Sequence, residues 1–299
     1  MTRAAATTSA PLLDDAEINA LINAATAGTT AAPQVIRQGS RSGELSSRQL
    51  GAGTDAADLR SYYPGDDTRH IDWRASARSR TTMLRTWHAD QRNPFVVLLD
   101  RGATMRFGSQ RRLKVTQAVR AALTLLARQA HAGREVGALV LDHPAQWIPP
   151  AAGLQGLMRL IPTMVAAAPP DDDDTPNLWR NAVTELIQRL DEDAEVVLVS
   201  DFLTLGHSEE KLLLALGQRV HARAIQVTDP LEQQPDFSFP VTLSWGAQAA
   251  DISGTDAPAL ATLAAAQTNH RRWLESSCRK AGIGFQQLST TQDALATLP

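Results

Sequence analysis

Asp100, Gly102 and Thr104 share one short turn directly after the apolar run Phe95-Val96-Val97-Leu98-Leu99. Apolar residues in a row, with no alternation, predict a strand covered on both faces. Asp100 then falls at the carboxyl edge of a sheet, where open α/β folds bind ligands. Gly102 lets the chain turn, and Thr104 supplies a hydroxyl two residues on. An aspartate and a threonine on one tight loop can direct several oxygens at one point, as a hard cation such as Mg²⁺ requires. The plain alternative is a βα turn whose aspartate caps the next helix. Glu195-Val196-Val197-Leu198-Val199-Ser200-Asp201 repeats the design. Between the two lies the run Asp171 to Asp174, followed by Thr175 and the start of a helix. Such a run is ordinarily a solvated loop. In a parallel sheet it can also lie over the same edge as Asp100 and Asp201.

Around these residues the pattern is regular α/β. Leu12 to Ala27 has helical spacing, with Asp14 and Asp15 near its start and Gly28 at its end. From residue 95 onward, helices are predicted over 112–132, 154–167, 177–190, 208–217, 257–281 and 291–298. Pro162 is expected to kink or split the second of these. Strands are predicted over 81–89, 136–141, 195–201, 220–227, 241–245 and 283–288, with Trp147-Ile148 as a short edge strand beside Pro149-Pro150. Alternating strands and helices imply a doubly wound, mainly parallel sheet. The expected division is an N-terminal helix plus an arginine-rich segment over 1–92, and the α/β domain over 93–299.

Residues 59–92 are of another kind. Pro64-Gly65 predicts a type II turn. Asp66, Asp67 and Asp72 lie among Arg69, Arg74 and Arg78, whose guanidinium groups can pair with carboxylates in bidentate fashion. Both tyrosines of the chain, Tyr62 and Tyr63, fall here with Trp73. One reading is a structural loop held by ion pairs. The other is a partner-binding surface, since Arg, Tyr and Trp are favoured at interface hot spots. The two are compatible.

The composition narrows the class. With 43% apolar residues, the 299-residue chain can bury a sizeable core. A net charge of −3 is too mild to imply a polyanion partner for the whole chain. Cys278 is the sole cysteine, so no internal disulfide forms and cysteine-based zinc sites are excluded. No apolar run approaches the roughly 18–20 residues of a membrane span, and no signal-peptide core is evident, so a soluble, cytoplasmic protein is expected.

The strand and loop at Asp100, a later threonine before a helix and a later strand ending in aspartate resemble a von Willebrand factor A domain. The metal-ion-dependent adhesion site (MIDAS) of that family reads Asp-x-Ser-x-Ser, then Thr, then Asp. The resemblance implies Asp100, Thr104, Thr175 and Asp201 as ligands of Mg²⁺, or of Mn²⁺ or Ca²⁺. Gly102 stands where the family has its first serine, which weakens the implied site. The segment Tyr63-Pro64-Gly65-Asp66-Asp67, Arg69, Ile71-Asp72-Trp73 and Arg78 resembles the signature of domain-of-unknown-function family 58 (DUF 58), as do Phe107-Gly108, Lys114 and Thr228-Asp229-Pro230-Leu231-Glu232. The resemblance covers residues 35–245. Many members of that family are encoded beside a MoxR-type AAA+ ATPase and are thought to act with it as chaperone-like or assembly factors. The resemblance therefore implies a non-enzymatic adaptor whose partners are that ATPase and its protein client.

Two other functions compete with this one. Seven arginines over residues 60–92, interleaved with aromatics, suit nucleic-acid binding, but Asp66, Asp67, Asp72 and Asp90 cancel much of that field. A Mg²⁺-dependent phosphohydrolase would use Asp100 as nucleophile, but Gly102 stands where the general acid should be.

Overall fold

The computed structural model describes residues 11–27, 56–62, 71–79, 81–87, 93–142, 144–167, 178–233, 241–245, 248–252 and 257–298. In chain order its elements begin with helix α1 (Asp15–Thr26), strand β1 (Ala56–Ser61), helix α2 (Trp73–Ser79) and strand β2 (Met83–Trp87). Next come β3 (Phe95–Asp100), α3 (Lys114–His131), β4 (Glu135–Leu141), β5 (Gln146–Ala152), α4 (Gly153–Val165) and α5 (Leu178–Arg189). The chain continues through β6 (Glu195–Ser200), α6 (Glu210–Arg219), β7 (His221–Thr228), α7 (Pro230–Gln233), β8 (Val241–Trp245) and β9 (Gln248–Ile252). It ends with α8 (Ala257–Ala281), β10 (Gly284–Ser289) and α9 (Ala294–Thr297). Residues 36–92 form one compact unit; residues 1–35 and 93–299 form the other.

The larger unit is built on six strands in the order β10-β7-β6-β3-β4-β5. All neighbours run parallel except β5, which pairs antiparallel with β4 at the edge. The doubly wound, mainly parallel α/β fold is therefore present. Strand β3 is buried at every position, because side chains alternate across a sheet that is covered on both faces. Phe95, Val97 and Leu99 pack with Val119, Leu126 and Leu157 on the face of α3 and α4. Val96 and Leu98 pack with Leu186, Leu213 and Leu274 on the face of α5, α6 and α8.

The chain leaves β3 towards β4 on one side, and β6 later docks on the other side of β3. The loops after β3 and β6 thus diverge, and the carboxyl end of this pair is the topological switch point, where such sheets place ligands.

Several elements differ from expectation. Helix α1 opens with Asp14 as N-cap, accepting from Glu17 N in a capping box. Its buried Ile18 and Leu21 join the core of α3, and Leu12 N donates to Val165 O at 2.8 Å. The expected boundary grouped this helix with the arginine-rich segment, but its apolar stripe is covered by α3, so it belongs with the sheet unit. Helix α4 runs through Pro162 without splitting. Pro162 stands in the last turn, where the terminal carbonyls are collected by Arg101 from another part of the chain. Strands β8 and β9 pair antiparallel, and β9 had no counterpart among the predicted strands.

In the smaller unit, β1 and β2 pair antiparallel. Asp72 caps α2, its Oδ1 accepting from Arg74 N and Ala75 N at 3.0 Å each. Ser76 Oγ donates to Asp72 O at 2.7 Å and accepts from Met83 N at 2.8 Å, which ties the helix to β2.

Candidate functional site

The loops after β3, β6 and β7 meet at the carboxyl edge, and each brings an aspartate. Asp100 ends β3 and is 3% exposed. Its Oδ1 accepts from Gly102 N at 2.8 Å, and its Oδ2 from the Ser200 hydroxyl. Asp201 follows β6. Its Oδ1 accepts from Thr104 Oγ1 at 3.2 Å and from Leu203 N at 3.0 Å. Its Oδ2 faces Lys114 Nζ at 2.8 Å. Asp229 follows β7 and is fully buried. It accepts from Ser109 N at 3.0 Å, Leu231 N at 3.0 Å, Thr290 Oγ1 at 2.9 Å and the Ser109 hydroxyl. These bonds tie the loop after β3 to the ends of β7 and β10.

Lys114, the first residue of α3, is the central cation of this rim. It is fully buried and bridges Asp201 and Glu232. Glu232 in turn accepts from Asp229 N at 3.1 Å. Burial alone would lower the pKa of the ammonium, but attraction and hydrogen bonding by Asp201 and Glu232 more than reverse that, so it stays protonated. Burial raises the Glu232 carboxyl, with Lys114 pulling in the opposite direction.

The turn after Asp201 is bent sharply. Phe202 has φ 59°, a left-handed conformation rare for a bulky residue. Its N–H donates to Ser200 Oγ at 2.8 Å, and its ring lies 5.3 Å from that of Trp179. Packing and this hydrogen bond hold a conformation that costs about 1–3 kcal/mol, of the kind that clusters at functional turns. Beside it opens a polar cavity of about 130 Å³ lined by Asp201, Gln226, Thr228, Glu232, Thr268 and His270. That is room for about four waters at ~30 Å³ each.

Burial, and after it the charge of Asp201, pushes the Asp100 carboxyl from its ordinary 3.8 up to about 6, against hydrogen bonds from Ser200 and Gly102 and the pull of Lys114. A carboxyl raised by folding contributes stability that is fully present below its unfolded pKa and is lost as pH rises through the folded one. Asparagine at 100 keeps an acceptor for Gly102 N and never ionises. Relief of a rise of that size is worth at most about 3 kcal/mol, opposed by about 1 kcal/mol for the Ser200 hydroxyl left without its acceptor. Asp100→Asn is therefore expected to be slightly less stable than wild type near pH 4 and about 1–2 kcal/mol more stable near pH 8. Urea unfolding at both pH values checks this, and a pH-independent difference would refute it.

Of the implied metal ligands, Asp100, Thr104 and Asp201 come together at the rim, and Thr175 lies outside the described residues. Three features show that those present do not fit a divalent ion. The Asp100 oxygens are turned to Gly102 N and Ser200. Both Asp201 oxygens are engaged, one by an ammonium. Gly102 brings no oxygen, and a Cβ there would stand 3.1 Å from Asp100 Oδ1. Among the described residues, no three His, Cys, Asp or Glu side chains form a metal-holding group.

Of the signature residues, Tyr63, Pro64, Gly65, Asp66, Asp67 and Arg69 lie outside the described residues. Asp72 is the helix cap already described. Arg78 is exposed, and Trp73 is 72% exposed. Residues that the strand-end pattern missed are Ser200, Ser109 and Arg101. Lys114 and Glu232 were visible only through the family resemblance.

Fold and site define a doubly wound α/β protein with a buried polar network at its switch point. The profile of the family described as "Protein of unknown function DUF58" matches residues 58–244, and the chain belongs to that family. It is 27% identical over 253 residues to the uncharacterized proteins Rv1480 of Mycobacterium tuberculosis and Mb1516 of Mycobacterium bovis, covering 83% of this chain and 78% of each relative. Among solved structures it is similar to the conserved hypothetical protein BatB from Bacteroides thetaiotaomicron, at TM-score 0.42 and 10% identity over 68% of this chain and 94% of that one. Among the described residues, no helix is long and apolar enough to cross a membrane.

Proposed function

We propose that this chain is a non-enzymatic adaptor that works with a MoxR-type AAA+ ATPase in chaperone-like assembly or maturation of a client protein. The observation that carries this reading is the internal pairing of the rim. Asp100, Asp201 and Asp229 each accept at least two hydrogen bonds or ion pairs from within the chain. The rim holds loops in place, as a docking scaffold requires.

The signature segment supports the same reading. Trp73 stands largely in solvent, with exposed Arg74 and Arg78 on the same short helix. Trp and Arg are the residues most enriched at binding hot spots. A pull-down with the MoxR-type ATPase of the same genome, with and without ATP, is the test. Wild type is expected to retain the ATPase, and Trp73→Ala to bind it at least about 30-fold more weakly, the loss of one hot-spot anchor. No retention by wild type under either condition would overturn the proposal.

A further inference from the structure

We infer that Lys114 is the resident cation of the rim: its ammonium takes the place of a divalent ion beside Asp201 and closes the site to metals. The lysine starts α3 and reaches Asp201 across 87 residues of sequence. It is 0% exposed, and the carboxylates it joins follow two adjacent strands, Asp201 directly after β6 and Glu232 in α7 after β7. A buried cation bridging a buried and a half-buried carboxylate is the arrangement a metal ion would otherwise supply. Here a side chain supplies it, tethered and permanent.

The remaining groups agree with a monovalent, hydrogen-bonding cation. An ammonium has three directed donors and needs only a few acceptors. Mg²⁺ needs near-octahedral oxygen coordination. Thr104 donates its hydroxyl hydrogen to Asp201 Oδ1 at 3.2 Å. Gly102 offers no hydroxyl, and its N–H holds Asp100 Oδ1 at 2.8 Å. A divalent ion on Asp201 Oδ2 would lie against the buried ammonium, and the two like charges would repel one another. This inference concerns the rim itself and holds whatever docks there. It implies that partner binding at this edge resists EDTA.

The test is a thermal-unfolding titration with millimolar Mg²⁺ or Mn²⁺ on the full chain, made on wild type, Asp201→Asn, Lys114→Ala and Lys114→Ala/Asp201→Asn. A ligand that binds only the native state must raise Tm. Wild type is expected to show no rise. Lys114→Ala frees Asp201 Oδ2 and Glu232 Oε1 for an ion whose other positions water from the adjoining cavity can fill, so it is expected to melt lower and to recover by about 3 °C or more with Mn²⁺, and the double variant not to recover. A metal-induced rise in wild type that is lost in Asp201→Asn would overturn the inference. So would a folded Lys114→Ala that ignores the metal. Should Lys114→Ala fail to fold even with Mn²⁺, the wild-type arm decides alone, read also from Mn²⁺ electron paramagnetic resonance for bound ion.

Discussion

Lys114→Met is expected to lower the unfolding free energy by about 3–5 kcal/mol, the usual cost of stripping one partner from a buried ion pair. Methionine keeps most of the length and apolar character of the lysine stem, so packing around residue 114 changes little. The loss falls on Asp201 and Glu232, whose side chains are 2% and 16% exposed and which then face one another with no cation between them. Asp201 keeps its bonds from Thr104 and Leu203 N. Glu232 keeps only that from Asp229 N, and burial already favours its neutral form. The variant should therefore protonate Glu232 in the folded state. Stability gained by such a raised carboxyl is present at low pH and lost as pH rises, so the deficit is expected to be larger at pH 8 than at pH 5. Adding Glu232→Gln should return about 1–2 kcal/mol at pH 8, because a neutral amide can stay buried where a carboxylate cannot. In a domain of this size the single variant corresponds to a fall in Tm of about 8–15 °C. A Lys114→Met protein that unfolds at the same urea concentration as wild type would show that the ammonium contributes no more than a methyl group, and the rim would need another account.

The parts of this molecule that could be read from sequence are those whose physics is local or periodic. Strands β3 and β6 show themselves because both faces are covered, so their apolar runs have no alternation to hide. Asp100 and Asp201 follow from those runs, since the residue after a buried parallel strand must stand at the carboxyl edge. The doubly wound architecture follows from the alternation of elements. What was not legible depends on pairing across the sheet. Lys114 meets Asp201 from 87 residues away, and no spacing rule connects the first residue of a helix to the end of a later strand. Ser200 lies within an apolar run, and nothing local marks its hydroxyl as the partner of Asp100. Helix α1 has a clear amphipathic pattern, but the pattern does not say which surface covers it, and the covering surface proved to be α3. Gly102 is legible as a position without a side-chain oxygen. The cation that takes a metal's place in our inference, Lys114, is marked by the family resemblance and by no spacing rule.

Arg101→Leu is expected to cost about 3–4 kcal/mol, although Arg101 reads from sequence as an unremarkable residue between Asp100 and Gly102. Its side chain is 1% exposed and turns away from the rim to the end of α4. Nη1 donates to Thr163 O at 2.5 Å, and Nη2 donates to Ala166 O and Ala167 O at 2.8 Å each. These are carbonyls at and just beyond the carboxyl end of α4, which no residue further along that helix can satisfy. A guanidinium there also complements the negative end of the helix dipole. Asp142, after β4, lies 3.4 Å from Nη1 and balances the charge. Leucine fills part of the volume but leaves three carbonyls without this donor and Asp142 without this counter-ion. Lysine at 101 keeps the charge but lacks the planar fork that reaches several carbonyls at once, so Arg101→Lys should recover less than half of the loss. Because Arg101 shares the turn of Gly102 and Thr104, hydrogen exchange offers a second readout. In Arg101→Leu, amides in the last turn of α4 should exchange faster by at least about 100-fold if the helix end frays locally. The amides of α5, on the opposite face of the sheet, should change only as global stability falls. Uniform acceleration across both helices would mean that Arg101 acts on the fold as a whole and not as the cap of α4.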